Sequence, residues 1–232
     1  MAEESEEIWK PKTSLGRDVL RGEISDIDQV LHSKDKIKEP EIVDQLLPNL
    51  DEEVILIGGT PGKGGGQRRI VSRRTVRMHK SGRRFNTKAM VVVGNNNGLL
   101  GASEGNSDDT RDAIDKARDN AKLEMIEVRR GCGSWECGCG EPHSIPFRVE
   151  GKSGSVEVEL KPAPRGIGRA ASEEISKVLD LAGIDDIWVE SRGNTKSREN
   201  HVKAVFNALK QLNKMKTSEE IEEKVGVVEG EI

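Results

Sequence analysis

An α+β fold in two small halves is the class this sequence predicts, on three observations. Segments with alternating strand pattern fall into two groups, and each group is followed by an amphipathic helix. A short segment rich in glycine and cysteine separates the groups. The first half reads as a β-sheet plus a helix over residues 50–128, and the second as an α/β unit over 145–214. The Cys/His-rich joint spans 129–144, a helical extension covers 1–49, and an acidic tail covers 215–232.

In the extension, Ser25 can cap a turn bearing Ile27, Val30 and Leu31. Pro40 suits the first turn of a helix through Ile42, Val43, Leu46 and Leu47, which Pro48 stops. Val54–Ile57 reads as a short strand ahead of a glycine-rich loop. Ile70–His79 and Phe85–Gly94 read as strands joined across Lys80–Arg84. The turn Asn95–Gly98, whose residues tolerate positive φ, leads into a strand over Leu99–Glu104. Ser107 or Asp108 caps a helix with Ala113, Ala117, Ala121 and Met125 on one face, a small-residue stripe suited to close packing on a sheet.

In the second half, Ile145–Glu150 and Ser155–Leu160 read as a strand pair turning at Gly151–Gly154. Ser172 caps a helix that turns Ile175, Val178, Leu179 and Ala182 inward and stops at Gly183. Ile187–Glu190 is a further strand, and Asn200 caps a last helix with Val202, Val205, Phe206, Leu209 and Leu212 inward. Thr217 and Glu220 form a capping box, and the tail beyond is expected to be mobile.

The formal net charge of −4 hides a segregated distribution. From Val54 to Ser103 there is no Asp or Glu, yet there are ten bases: Lys63, Arg68, Arg69, Arg73, Arg74, Arg77, Lys80, Arg83, Arg84 and Lys88. The rest of the chain is strongly acidic, so this stretch is a local polyanion-binding surface in composition. A solvated basic loop is the plain alternative. Bases carried on alternating strands with glycine turns and no compensating acid favour contact with RNA or DNA. No apolar run approaches the roughly 20 residues a bilayer span needs, and the acidic N-terminus is unlike a signal peptide. A soluble cytosolic protein is therefore expected, with no membrane partner.

GGTPGKGGG invites a nucleotide reading. A phosphate-binding loop from Gly59 places Gly64 correctly, but Gly65 and Gly66 stand where Lys and Ser/Thr are required. The residues that follow, QRRIVSRRTV, have strand pattern and supply no helix N-terminus. A nucleotide site is not expected. His32, His79 and His201 fall in no nucleophile or metalloprotease motif, and Asp185–Asp186 reads as turn chemistry. The sequence offers no reason to propose an enzyme.

The cysteines are more specific. Cys132, Cys137, Cys139 and His143 follow the spacing C-x4-C-x-C-x3-H. A reducing compartment keeps such thiols free, and clustered thiolates suit Zn²⁺. Gly131, Gly133, Gly138 and Gly140 let the backbone turn enough for four ligands to converge. The expectation is one structural zinc with a closed coordination shell; the alternative is three reduced thiols in a flexible glycine joint.

Several blocks resemble a known family. SGRRFNTKAMVVVGNNNGLLGASEG with its Ala-spaced helix looks like the N-terminal half of the small-subunit ribosomal protein S5 family. KSGSVEVELKPAPRGIGRA, LAGIDDIWVESRGNT and KAVFNALK look like its C-terminal half, and VRRGCGSWECGCGEPHS resembles the archaeal joint. The similarity runs from about Arg17 to Lys210. Two departures stand out: the glycine-rich stretch Gly58–Gly66, and Ser197-Arg198-Glu199-Asn200-His201-Val202 where the family tends to have small polar residues and then Asn-Phe-Ala.

The resemblance implies a double-stranded-RNA-binding-like fold for the first half and a left-handed βαβ crossover in the second. It implies a structural role in the small ribosomal subunit, in the cytoplasm, beside neighbouring small-subunit proteins. It places the protein on small-subunit rRNA near the mRNA entry channel, where it supports translation accuracy. Lys80, Ser81, Gly82, Arg83 and Arg84 match the family's rRNA-reaching hairpin, and Arg165, Gly166, Ile167 and Gly168 match its second-domain loop. The candidate rRNA-binding set is completed by Arg129, Arg130 and Arg169. A free double-stranded-RNA-binding regulator would also explain the basic hairpin, though not the second half.

Overall fold

The computed structural model describes residues 9–33, 36–62, 64, 66–214, 216, 218 and 225–228. Lys63, the expected Thr217–Glu220 box and most of the tail lie outside the described residues.

The extension forms three short helices, α1 (Ser14–Leu20), α2 (Ile27–His32) and α3 (Pro40–Leu46). Thr13 Oγ1 caps α1 by accepting the Gly16 N–H, a start signal the sequence reading passed over. Asp26, not Ser25, stands at the N-cap of α2, while Pro40 does open α3. Their apolar faces gather Leu15, Val19, Ile27, Val30, Ile42 and Val43 against Leu99 and Met125 of the body. Glu39 fixes the entry: its Oε1 accepts the Lys12 and Thr13 N–H groups at 2.9 and 2.7 Å, and its Oε2 accepts Trp9 Nε1–H at 3.1 Å.

Then follow β1 (Asp51–Val54), β2 (Gly58–Pro61), β3 (Gln67–Ile70), β4 (Arg73–His79), β5 (Gly82–Gly94), β6 (Leu99–Ser107), α4 (Thr110–Leu123) and β7 (Met125–Glu127). β1, β5, β6 and β7 make an antiparallel sheet in that order, and β4 pairs with the outer part of β5. The glycine-rich stretch becomes a separate hairpin of β2 with β3. It runs from strand into strand with no helix after it, as expected from QRRIVSRRTV.

Several boundaries move. The first strand is Asp51–Val54 instead of Val54–Ile57, and Ile55, buried in the core, still donates its N–H to Met90 O at 3.0 Å. The expected strand Ile70–His79 is broken at residues 71–72 between two different partners. Asp109, not Ser107 or Asp108, is the N-cap of α4, since β6 runs on to Ser107. Met125 leaves the helix and starts a short edge strand.

β5 explains why its sequence does not alternate. Ala89 to Val93 are all buried because both faces of the sheet are covered. Val91 and Val93 face Ala117 and Ala121 of α4. Met90 and Val92, with Leu100 and Ala102 of β6, face Val158, Leu160, Ile175 and Val178 of the second half. The two halves therefore share one core, and the joint between them is not what sets their relation.

The second half contains β8 (Val149–Ser153), β9 (Val156–Pro162), β10 (Arg169–Ala170), α5 (Glu173–Leu181), β11 (Ile187–Arg192) and α6 (Arg198–Leu212). Its sheet order is β10-β11-β9-β8; β10 and β11 are parallel around α5, and the other pairs are antiparallel. Ser172 and Gly183 bound α5 as expected, and Ile175, Val178, Leu179 and Ala182 are fully buried. The first strand starts at Val149, later than Ile145, and Gly151 lies inside it instead of in the turn. α6 crosses there so closely that a Cβ on Gly151 would sit 2.1 Å from Ala204 O. Ser197, not Asn200, is the N-cap of α6, whose Val202, Val205, Leu209 and Leu212 point inward as expected.

Candidate functional site

The ribbon of β4 and β5 turns through Lys80 and Ser81, with Gly82 at φ +115°. Arg83 and Arg84, expected in the turn, are strand residues. All of β4 and residues 82–86 of β5 are solvent-exposed, so the ribbon stands off the body. Seven residues of strand reach roughly 20–25 Å. Opposed residues share a face, which gives the ribbon two different sides. Arg73, Arg77 and Arg84 lie on one, with Thr75, Asn86 and His79. The other carries Val76, Met78 and Phe85, all exposed, with Arg74 and Arg83. The Arg74 guanidinium sits 3.8 Å from the Phe85 ring centroid, a cation–π pair. Charge counting missed this apolar face; strand alternation through Val76, Met78 and Phe85 carried the signal.

The structure divides the basic candidates into two groups. Among the described residues, no carboxylate lies within ion-pairing distance of Arg68, Arg74, Arg77, Lys80, Arg83 or Arg84. The rest are engaged within the protein. Lys88 is held between Glu104 (2.8 Å) and Glu199 (3.3 Å), and Arg73 reaches Glu199 at 4.0 Å. Arg69 pairs with Glu173 and Glu174, Arg165 with Glu141, and Arg169 with Asp180 and Asp185. Arg130, 7% exposed, donates to Asn97 O and Oδ1 and to Gly183 O. Arg130, one of the candidate rRNA-binding residues, thus serves as an internal fastener, with half-buried Arg129 beside it.

The joint gathers the four candidate ligand residues. The donor atoms of Cys132, Cys137, Cys139 and His143 all lie within 4.8 Å of one another. Cys137 Sγ is 3.4 Å from Cys139 Sγ and 3.9 Å from His143 Nε2. A tetrahedral ion with bonds of about 2.0–2.3 Å separates its ligands by about 3.3–3.8 Å, so the donors suit one zinc-sized ion. Hydrogen bonds from the Arg165 and Cys139 N–H groups and from the Cys139 thiol pull Cys137 down to about 6, whereas burial pushes the Cys132 thiol up.

One residue read as turn chemistry belongs to this cluster. Buried Asp186 accepts from His143 Nδ1 at 3.0 Å through Oδ2, and from the Gly166 and Gly168 N–H groups through Oδ1 at 3.0 and 2.8 Å. The expected mobile tail also returns here in part. Val225 O accepts the Cys132 N–H at 2.8 Å, and Val228 pairs with Arg130.

A groove between the halves is lined by Arg69, Glu174, Ser191, Arg198 and His201. Ser191 Oγ and His201 Nε2 are 2.8 Å apart. Among the described residues, however, no carboxylate is bonded to the other ring nitrogen, and Arg69 and Arg198 are spent on Glu174. No helix among the described residues is long and apolar enough to cross a membrane.

These features define an α+β protein with two main sheets and a small β2–β3 hairpin sheet, which holds a basic ribbon away from its body and carries no assembled catalytic set among the described residues. Two family models match the chain: ribosomal protein S5, N-terminal domain, over residues 66–129, and ribosomal protein S5, C-terminal domain, over residues 151–224. Small ribosomal subunit protein uS5 of Haloarcula marismortui is 48% identical over 221 residues, covering 95% of this chain and 97% of the relative. That of Methanocaldococcus jannaschii is 47% identical over 224 residues, covering 97% and 96%. That of Methanoregula boonei is 50% identical over 209 residues, covering 90% and 95%. The chain belongs to the ribosomal protein S5 family. It is a structural ribosomal protein rather than an enzyme, and its place is the ribosome, in the cytoplasm.

Proposed function

We propose that the chain binds small-subunit rRNA through the β4–β5 ribbon, near the mRNA entry channel, and supports translation accuracy there. The ribbon carries the reading. A two-stranded hairpin exposed on both sides is marginal alone in water, and this one holds Arg74, Arg77, Lys80, Arg83 and Arg84 with no acid answering them among the described residues. A polyanion supplies both the charge and the missing contacts. Arginine forks suit phosphate oxygens, and folded RNA is read mainly by shape. The second side, with Phe85 and Arg74, suits stacking on an unpaired base.

Finer features of the fold go with the same reading. The sheet β5-β6-β7 with α4 is taken as the double-stranded-RNA-binding-like unit, over 50–128, and β10–α5–β11 within 145–214 as the left-handed crossover. The acidic faces and the helical extension are surfaces for neighbouring small-subunit proteins. Sedimentation tests the reading against a free double-stranded-RNA-binding regulator. Native protein co-migrating with small subunits supports it, and free migration overturns it. In filter binding, Arg83→Glu with Arg84→Glu should weaken rRNA affinity and lower the salt slope by about 2.

A further inference from the structure

We propose that Cys132, Cys137, Cys139 and His143 hold one Zn²⁺ in a closed site, and that Asp186 is the outer carboxylate that orients the histidine ligand. The proposal stands on geometry and is independent of the RNA reading. Four donor atoms from a segment of twelve residues converge within 4.8 Å, three of them sulfur. Soft thiolates with one imidazole form a donor set that selects zinc among common divalent ions. Each thiol releases its proton to water on ligation.

Asp186 adds an independent observation. Its bond to His143 Nδ1 fixes that nitrogen as the donor and leaves the Nε2 lone pair pointing at the thiols. A carboxylate behind a ligating histidine is the usual outer support of a zinc site. The same carboxylate holds the Gly166 and Gly168 amides at 3.0 and 2.8 Å. The Cys132 N–H is bonded to Val225 O. One ion would thus tie three chain segments: the joint, the loop 165–168, and the returning segment 225–228.

This assigns the ion a different task from setting the angle between the halves, because the shared core already sets that. The metal locks the loop 165–168 and the segment 225–228 onto the joint. With four protein ligands no position remains for a reacting water, so the site is structural.

The test uses the full chain purified under reducing conditions. Elemental analysis should find about one zinc per chain, and Co²⁺ should replace it with strong thiolate charge-transfer absorption. Cys139 is the most exposed ligand, so Cys139→Ser should keep the fold by circular dichroism yet lose stoichiometric zinc. Asp186→Asn should bind zinc about 10–100-fold more weakly in competition with a chelator. The site is overturned if the wild type neither retains nor takes up stoichiometric zinc, or if Cys139→Ser binds it as tightly. Unchanged affinity in Asp186→Asn overturns the outer-carboxylate assignment.

Discussion

Lys88 on β5 places its ammonium 3.3 Å from Glu199 in the first turn of α6, a pairing across 111 positions of sequence. Glu104 on β6 closes the group, at 2.8 Å from Lys88 and 2.7 Å from Lys203. Burial alone would depress the lysine, but the two carboxylates outweigh it and raise its pKa. This cluster sits where the ribbon leaves the body, so it anchors the ribbon's root to the second half.

Lys88→Met should therefore cost stability and leave RNA electrostatics nearly intact. Breaking a fully buried pair costs about 3–5 kcal/mol and an exposed one at most about 1. Here the side chains are partly screened, so about 1–2 kcal/mol is expected as a lowered urea midpoint. A drop in the salt slope of rRNA binding, with stability unchanged, would return Lys88 to the RNA-facing set.

Arg130 and Arg84 should separate the two kinds of arginine. Arg130→Met removes charge-assisted bonds to Asn97 and Gly183 and leaves their half-buried oxygens without that donor. About 2–3 kcal/mol of stability should be lost, with no change in salt slope. Arg84→Met should show the reverse: an unchanged urea midpoint and a salt slope lower by about 1. Paired denaturation and filter-binding titrations of both variants check this.

The contrast shows which features were legible in the sequence. Helix faces could be read because burial follows a period: Ile175, Val178, Leu179 and Ala182 on α5 did so without exception. The convergence of Cys132, Cys137, Cys139 and His143 was legible too, since all four residues are local in sequence. What was hidden was long-range. Nothing in Arg130, Lys88 or Asp186 alone shows that Asn97, Glu199 or His143 awaits it. Nor does the MVVV run show that one sheet face is covered by the other half of the chain.

Gly151 tests that covering. It is a strand residue at ordinary φ, so conformational freedom is not its reason for being glycine. Besides Ala204 O at 2.1 Å, an added Cβ would meet Ala208 N at 2.5 Å. The obstacle is helix backbone, which cannot swing aside as a side chain can. Gly151→Ala should destabilise by about 1–3 kcal/mol, the range for overpacking. Gly138→Ala, with open space around it, should be within about 0.5 kcal/mol of wild type. Equal midpoints for the two variants would show that α6 does not seat on β8 as described.

Glu39 should make docking of the extension pH-dependent. Burial pushes its carboxyl up, but hydrogen bonds from Thr13, Lys12 and Trp9 outweigh that and hold it below the usual carboxylate range. A carboxylate depressed in the folded state contributes stability that is fully present above its unfolded value, near 4.3. The contribution fades as pH falls from there through the folded value. The Lys12 and Thr13 amides and the Trp9 indole then lose an ionised acceptor together, and α1 loses its entry. Acidification should thus redden Trp9 emission and speed proteolysis ahead of α1 before the shared core unfolds. Trp135 and Trp188 also emit, so the titration is best read in a Trp135→Phe, Trp188→Phe background. Glu39→Gln should show the loosened state already at neutral pH, with its response to acid abolished. A wild-type acid response that survives in Glu39→Gln would assign the loosening to other carboxylates.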